Sequence, residues 1–294
     1  MSFKNASLLV SNVTFEHLLK KATQMAVSCD KEIEAVKLLL MHYSNYDAHA
    51  FYMHLKQTVP QEIETQFQQA LNQYLYNHIP VQQLIGHAYF YGYAFFVSSD
   101  VLIPRSETEQ LVEHVLHYYD TYFADQHIDV LDLGTGSGCI GITLDLEAPQ
   151  MHVTCSDISQ KALDVANENI KALKSNATTA LSDLFNEIKG AFDIIISNPP
   201  YIPLTEVVDP MVLNEPHVAL YGGDTGVEFY ARILRDAKSH LKPKALLAFE
   251  HGYQQKQMIY DDARRLFPHA TIIQKKDLQG KDRFTFIGIG GVLK

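Results

Sequence analysis

Ile128-Asp129-Val130-Leu131-Asp132-Leu133-Gly134-Thr135-Gly136-Ser137-Gly138-Cys139-Ile140-Gly141 is the stretch whose reading decides the fold. A largely apolar run stops at Leu133, glycines follow at alternate positions, and apolar residues then resume. That order reads as a strand, a tight turn and the start of a helix. Glycines there permit unusual φ values and let a ligand approach the backbone with no Cβ in the way. Amide groups at the helix start can meet an anionic or polar ligand. Asp157 stands at the end of the next expected strand, where a carboxylate can accept hydrogen bonds from ribose hydroxyls. Gly136, Gly138 and Gly141 also fill the G-x-G-x-x-G positions, which alone is a weak signal. The turn formed by Gly134, Thr135, Gly136, Ser137 and Gly138, taken with Asp157, predicts an adenosine-containing ligand and leaves both NAD and S-adenosylmethionine open. Asp132 favours the second, because a carboxylate before the first glycine can accept from the ammonium of a methionine moiety and would repel pyrophosphate. Asp183, with Leu184 beside it, follows the third expected strand and can receive an adenine amino group.

From this stretch onward, strand and helix patterns alternate. Strands are expected at 128–133, 152–156, 178–181, 192–197 and 245–250, with helices near 137–147, 160–174, 226–241 and 253–267. Apolar runs such as Asp193-Ile194-Ile195-Ile196 suit a sheet covered on both faces. The pattern predicts an α/β fold with a doubly wound, mostly parallel Rossmann-like sheet. Late strands at 270–274 and 283–289 follow, and Phe284-Thr285-Phe286-Ile287 is expected to add an antiparallel edge strand. Residues 1–79 read as helical, with Phe15, Leu18, Leu19, Ala22, Met25 and Ala26 at helical spacing. Residues 80–106 read as a β-hairpin connector, including aromatic-rich residues 89–97 and a short strand at Val101-Leu102-Ile103. Ser106 and Glu109 have the spacing of a capping box that opens a helix. The body is expected to occupy residues 107–294.

Asn198-Pro199-Pro200-Tyr201 ends the fourth expected strand, on the carboxyl edge where such sheets bind ligands. Two consecutive prolines stiffen the backbone and remove two N–H donors, so the loop presents acceptors. The Asn198 side-chain carbonyl and the Pro199 backbone carbonyl can together grip both hydrogens of an –NH₂ group. Tyr201 offers a flat face to a planar amide or base. This arrangement suits a planar nitrogen whose lone pair is delocalised, one that needs aim and charge stabilisation.

The chain resembles the S-adenosylmethionine-dependent methyltransferases of the Rossmann-like class, and within them the HemK/PrmC family of peptide chain release factor glutamine methyltransferases. The resemblance runs in order through residues 80–86, Phe90-Tyr91-Gly92, Val101-Leu102-Ile103-Pro104-Arg105 and Glu107-Thr108-Glu109. It continues through residues 132–139, Asp157-Ile158-Ser159, residues 198–202, Glu215-Pro216, Lys276-Asp277-Leu278, Gly280 and Asp282-Arg283-Phe284. Ser106 stands where the family usually has a second proline. The resemblance implies that the acceptor is the side-chain amide of the glutamine in the Gly-Gly-Gln loop of release factors. It implies S-adenosylmethionine as cofactor, with no metal. Gly134 to Gly138, Asp157, Asp183, Leu184 and Asn198 would hold the cofactor, and Asn198, Pro199, Pro200 and Tyr201 the glutamine and the chemistry. Residues 1–79 would then be the substrate-recognition domain. Adenine amino-group DNA methyltransferases share the Asn/Asp-Pro-Pro-Tyr loop and are the rival reading; a cofactor-binding scaffold without turnover is a third.

Composition weighs against the nucleic-acid rival. The 294 residues carry a net charge of −10, the wrong sign for non-specific duplex binding. A monomer that engages protein and no membrane is expected, since no apolar stretch is long enough to span a bilayer. Cys29, Cys139 and Cys155 fit no metal spacing, the N-terminus lacks a signal-peptide core, and a reducing cytoplasm is the expected setting. The Asn12-Val13-Thr14 acceptor match is read as chance. The 14 histidines form no H-E-x-x-H pattern. Cys139 and Cys155 fall within core elements and are not expected to be nucleophiles.

Overall fold

The computed structural model describes residues 13–124 and 126–294. The Asn12 match and the reading of residues 1–12 lie outside the described residues. The chain divides into two compact units, one reaching Gly86 and including Pro210–Asn214, the other made of His87–Asp209 and Glu215–Lys294.

The first unit is helical: α1 (Phe15–Ser28), α2 (Ile33–Ser44), α3 (Ala48–His54), α4 (Gln61–Tyr76) and α5 (Val81–Ile85). The Thr14 hydroxyl caps α1 by accepting from His17 N at 3.2 Å, and Asp47 caps α3 by accepting from Ala50 N at 2.7 Å. Phe15, Leu39, Leu40, Phe51, Phe67 and Tyr74 meet in one apolar core. The Tyr74 hydroxyl, brought inside with them, accepts from Glu32 N at 3.1 Å, so its polar end is satisfied. Val81 joins this core. The expected boundary at residue 79 therefore moves to 86, where Gly86 ends α5 in the left-handed conformation.

The second unit begins with β1 (His87–Phe90) and β2 (Tyr93–Phe96), an antiparallel hairpin. Phe90 pairs with Tyr93, so the turn is Tyr91-Gly92, and both residues have positive φ, 53° and 83°. A two-residue turn of that kind matches the right-handed strand twist, and glycine adopts it without strain. Phe90 and Phe95 meet edge to face at 6.1 Å and enter the same core as the large sheet. The hairpin thus belongs to the second unit and is no connector. The expected strand at Val101-Leu102-Ile103 forms no ladder. Val101 and Ile103 are buried, and Ile103 N donates to the Glu215 carboxylate at 2.8 Å. The capping box is also absent: Ser106 lies inside α6 (Ser106–Tyr122), and Glu109 instead accepts from Tyr91 N at 2.9 Å.

The remaining elements alternate as expected: β3 (Ile128–Leu133), α7 (Cys139–Glu147), β4 (Met151–Asp157), α8 (Gln160–Leu173), β5 (Thr178–Leu181) and β6 (Phe192–Ser197). After them come α9 (His217–Leu220), α10 (Glu228–Asp236), β7 (Leu241–Glu250), α11 (Lys256–Leu266), β8 (Thr271–Lys276) and β9 (Asp282–Ile289). The seven strands from β3 to β9 form one sheet in the order β5-β4-β3-β6-β7-β9-β8. The ladders among β3 to β7 are parallel, and β9 runs antiparallel to both β7 and β8. The antiparallel strand 283–289 is therefore not the edge; β8 is. Burial explains the exchange, since Phe284 to Gly288 are buried while β8 is half-exposed and ends in lysines.

Alternate side chains fill two cores. Val130, Ile194, Ile196, Leu246 and Phe286 pack on one face, and Leu131, Leu133, Ile195, Leu247 and Ile287 on the other. From β3 the chain winds outward through β4 to β5, then returns to lay β6 on the opposite side of β3. The carboxyl ends of β3 and β6 thus flank the switch point where doubly wound sheets open a crevice. Among the described residues no helix is long and apolar enough to cross a membrane.

Helix α7 lies close to the sheet because Gly141 has no side chain. A Cβ there would stand 2.5 Å from Cys155 Sγ and 3.1 Å from Asp132 Oδ2. Both neighbours are fixed in strands, so neither can give way cheaply. Gly141→Ala is expected to destabilise the protein by about 1–3 kcal/mol. Urea unfolding should show this as a lowered midpoint with an unchanged slope; an unchanged midpoint would show that the packing is looser than described.

Candidate functional site

A cavity of about 190 Å³ opens at the carboxyl edge of the parallel strands. Gly134 and Gly136 from the turn after β3, Asp157 after β4, Asp183 and Leu184 after β5, and Asn198, Pro199 and Pro200 after β6 all line it. Val101, Leu102, Ile158 and Phe229 add an apolar wall. The structure therefore brings most of the expected residues to one place, from four strand ends.

Within the glycine-rich turn the work is divided. A Cβ at Gly134 or Gly136 would meet nothing within 4 Å, so these two face open space. Thr135, Ser137 and Gly138 are off the cavity wall, with the side chains of Thr135 and Ser137 buried. They build the turn. The Thr135 hydroxyl donates to Asp132 Oδ2 at 2.5 Å, and the Ser137 carbonyl accepts from Asn169 Nδ2 at 2.9 Å. Asn169 also exchanges two hydrogen bonds with the backbone of Phe96, tying the hairpin to the turn through one buried amide.

Asp132 is 0% exposed, and its Oδ2 accepts from Gly141 N at 3.0 Å as well as from Thr135. Its place is beneath the turn and off the cavity wall, which corrects the expectation of direct contact with a ligand ammonium. Burial pushes its carboxyl up to about 7, against the pull of the Thr135 and Gly141 hydrogen bonds. The folded value lies above the unfolded one, so the folded chain binds the proton more tightly. The resulting destabilisation is absent below about pH 4 and complete above about pH 7. Asp157 lines the cavity, with Oδ2 accepting from Gly136 N and Oδ1 from Ser159 N, both at 2.9 Å. Burial raises its carboxyl, and the two amides pull it back. Asp183 lines the cavity with both oxygens held by Arg232 Nη2, at 2.9 and 2.8 Å.

The loop after β6 is fixed from behind. Ile202 N donates to Leu220 O at 3.0 Å, and Gly222 N to Ile202 O at 2.9 Å. A Cβ at Gly222 would stand 2.4 Å from the Pro200 carbonyl oxygen, and one at Gly226 2.3 Å from that of Tyr201. Only glycine lets that segment approach the loop so closely. Gln255 Nε2 donates to the Tyr201 carbonyl at 2.5 Å. Tyr201 is half-buried against the core and is not part of the cavity wall, unlike Asn198, Pro199 and Pro200. Burial, reinforced by nearby Glu250, pushes its phenol up to about 12. Asn198 Nδ2 donates to Thr108 Oγ1 at 3.3 Å.

Two buried groups complete the surroundings of the site. Glu215 is buried, binds Ile103 N through one oxygen and pairs with Arg105 Nη2 through the other. This clamp restrains the segment before Ser106, where the family pattern has a second proline. His251 is fully buried and satisfied: Nδ1 donates to Gly252 O at 2.9 Å, and Nε2 lies 3.0 Å from the Thr285 hydroxyl. Burial lowers its pKa, consistent with a neutral ring. Cys139 and Cys155 are buried, which pushes the Cys139 thiol up to about 12 and that of Cys155 further in the same direction. Neither is an activated nucleophile. Thr108, Asn169, Gly222, Gly226, Arg232, Glu250 and Gln255 were not singled out as site residues from sequence. The Gly222-Gly223-Asp224-Thr225-Gly226 run was the available signal for two of them.

Comparison with known proteins agrees with this architecture. Residues 17–86 match the family described as the PrmC N-terminal domain, and residues 108–212 match the methyltransferase small domain. In fold, the chain is similar to a methyltransferase from Pyrococcus furiosus, with a TM-score of 0.51 and 20% identity over 69% of this chain and 91% of that one. The release factor glutamine methyltransferase of Bacillus anthracis is 38% identical over 277 residues, covering 92% of this chain and 98% of its own length. That of Streptococcus pneumoniae is 38% identical over 263 residues, covering 88% and 93%. Likeness of that degree across both the helical unit and the sheet unit establishes that the chain belongs to the release factor glutamine methyltransferase family.

Proposed function

We propose that this protein transfers a methyl group from S-adenosylmethionine to the side-chain amide nitrogen of the glutamine in the Gly-Gly-Gln motif of peptide chain release factors. The observation that carries this reading is the placement of Asn198, Pro199 and Pro200 on the wall of the cavity that Gly134, Gly136 and Asp157 also line. The cavity fits the cofactor. Two glycines leave open the space a Cβ would fill, Asp157 offers lone pairs to ribose hydroxyls, and Ile158 and Leu184 supply apolar surface for a base. When bound, S-adenosylmethionine supplies an electrophilic methyl group.

The chain's own task is to aim and polarise the acceptor. A primary amide nitrogen is a poor nucleophile because its lone pair is delocalised. The Asn198 Oδ1 and the Pro199 carbonyl would accept its two hydrogens, fixing the nitrogen's direction and stabilising positive charge as it develops there. The residues around the acceptor supply no general base. Asn198 does not titrate, the Tyr201 phenol is pushed up to about 12, and Glu250 is 2% exposed and off the cavity wall. The extra proton of the methylated amide would leave to water.

Recognition of the release factor would fall to the helical unit and the acidic surface of the chain, whose net charge is −10. The same charge disfavours a duplex substrate, the reading that a shared Asn-Pro-Pro-Tyr loop would otherwise allow. A cytoplasmic monomer meets its substrate in the compartment where translation terminates.

Tritium transfer from labelled S-adenosylmethionine tests the reading. Label is expected in the release factor and not in duplex DNA, and to be lost when the motif glutamine is replaced; label in DNA alone would refute it. Asp157→Ala should weaken S-adenosylmethionine binding by about 5- to 150-fold, the effect of leaving buried polar partners unpaired. Calorimetry showing wild-type affinity in the variant, or tight NAD binding by the native protein, would contradict the cofactor assignment. On adding release factor, hydrogen exchange should slow in helices of the first unit; protection confined to the second unit would remove its recognition role.

A further inference from the structure

A carboxylate that takes no part in the scheme above lies behind Asn198. Glu250 is the last residue of β7, and the pairing of Ser197 with Phe249 brings it beside Asn198 at the sheet's carboxyl edge. It is 2% exposed, and its Oε2 has no hydrogen-bond partner. Thr108 and Asn198 are its polar neighbours, and both hold its carboxyl down against the effect of burial. Thr108, itself buried in the first turn of α6, also accepts from Asn198 Nδ2 at 3.3 Å.

While the Glu250 carboxyl is ionised, these groups have one consistent arrangement. An ionised carboxylate only accepts, so a Thr108 hydroxyl turned toward it donates its proton there and keeps its lone pairs for Asn198 Nδ2. Both groups at the inner end of Asn198 are therefore acceptors, and only its NH₂ end can face them. The Oδ1 end is left to face the cavity. Were the amide reversed, two N–H groups would point at an incoming –NH₂ group, and Oδ1 would stand against a buried carboxylate.

We infer that Glu250, with Thr108 as relay, is a positioning residue that sets the polarity of the Asn198 amide and so makes the loop an acceptor of N–H groups. The inference rests on the proposed glutamine reading, because an outward acceptor is what a primary amide substrate needs. It adds a reason for a costly buried acid. Burial raises the Glu250 carboxyl to about 7, with Arg283 opposing and Glu107 adding to the shift. Tyr201, Tyr230 and Cys139 also feel its charge. An unpaired buried carboxylate oxygen is a liability unless its neighbour needs it.

A polarity swap provides the test. Glu250→Gln offers either amide end to Asn198 and is expected to lower kcat on release factor about 10- to 100-fold, with cofactor affinity unchanged. Asn198→Asp places two carboxylates side by side and should be worse. The double variant Asn198→Asp/Glu250→Gln restores a donor facing an acceptor, with an oxygen still turned outward, and should recover at least about tenfold over Asn198→Asp. Thr108→Val should resemble Glu250→Gln, and Thr108→Ser should restore activity. Recovery in the double variant and in Thr108→Ser supports the inference. A double variant no better than the worse single, or Glu250→Gln at the wild-type rate, overturns it. One readout is independent of turnover: the Asn198 side-chain NH₂ signals, identified by their loss in Asn198→Ala, should exchange with solvent more slowly in the native protein than in Glu250→Gln. Equal exchange overturns the inference even where activity is not at issue. A native protein that fails to methylate release factor yet shows slowed exchange would contradict the functional reading alone.

Discussion

The site depends on a buried carboxylate that never reaches it. Asp132 ends no chain of catalysis; it holds the glycine-rich turn against α7. One oxygen gathers the Thr135 hydroxyl and the Gly141 amide, so strand, turn and helix meet at a single atom. Its other oxygen, Oδ1, is buried without a partner. Removing a charge from water in this way costs stability, and the raised carboxyl value expresses that cost. What the fold gains is a turn whose two outward glycines are held open beside Asp157. Gly136 N donates to Asp157, so the turn and the next strand end are fixed relative to one another as well.

The same economy recurs across the switch point. Where β3 uses Asp132 beneath its loop, β7 uses Glu250 behind the loop of its neighbour β6. Both acids are almost fully buried, both keep one oxygen without a partner, and both have carboxyls raised to about 7. A sheet edge that must bind a ligand cannot satisfy all its polar groups internally, because some are needed to hold loops open. The rest of the unit offsets this with apolar packing on both sheet faces and with fully satisfied devices such as Asn169 and the Glu215 clamp.

Much of this was legible in the sequence because it is local. Residues 128–141 encode strand, turn and helix in consecutive positions, and the two prolines of the 198–201 loop announce a rigid turn without any partner. Periodicity likewise marked the helices of the first unit. What could not be read was whatever depends on residues distant in the chain. Ser106 and Glu109 have capping-box spacing, yet Glu109 instead takes the Tyr91 amide of the hairpin turn. Val101 to Ile103 has strand character, but Glu215, more than a hundred residues later, takes the Ile103 amide that a ladder would have needed. The final apolar run has the composition of any late strand, and only the burial demand of Phe284 and Phe286 places it inside the sheet with β8 at the edge. The polarity of Asn198 is set by Thr108 and Glu250, which sit ninety residues before it and fifty-two after it, so no motif could carry it.

The central claim is that cofactor holding and amide activation are separate tasks performed at adjoining strand ends. Single-turnover methyl transfer by Asn198→Ala, measured alongside cofactor affinity, tests it most directly. The account predicts a chemical step slowed by roughly 10²–10³, the scale of losing one preorganised polar contact in a transition state, with S-adenosylmethionine affinity changed much less. A chemical step at the wild-type rate, or a loss of cofactor affinity as large as the loss of rate, would contradict it.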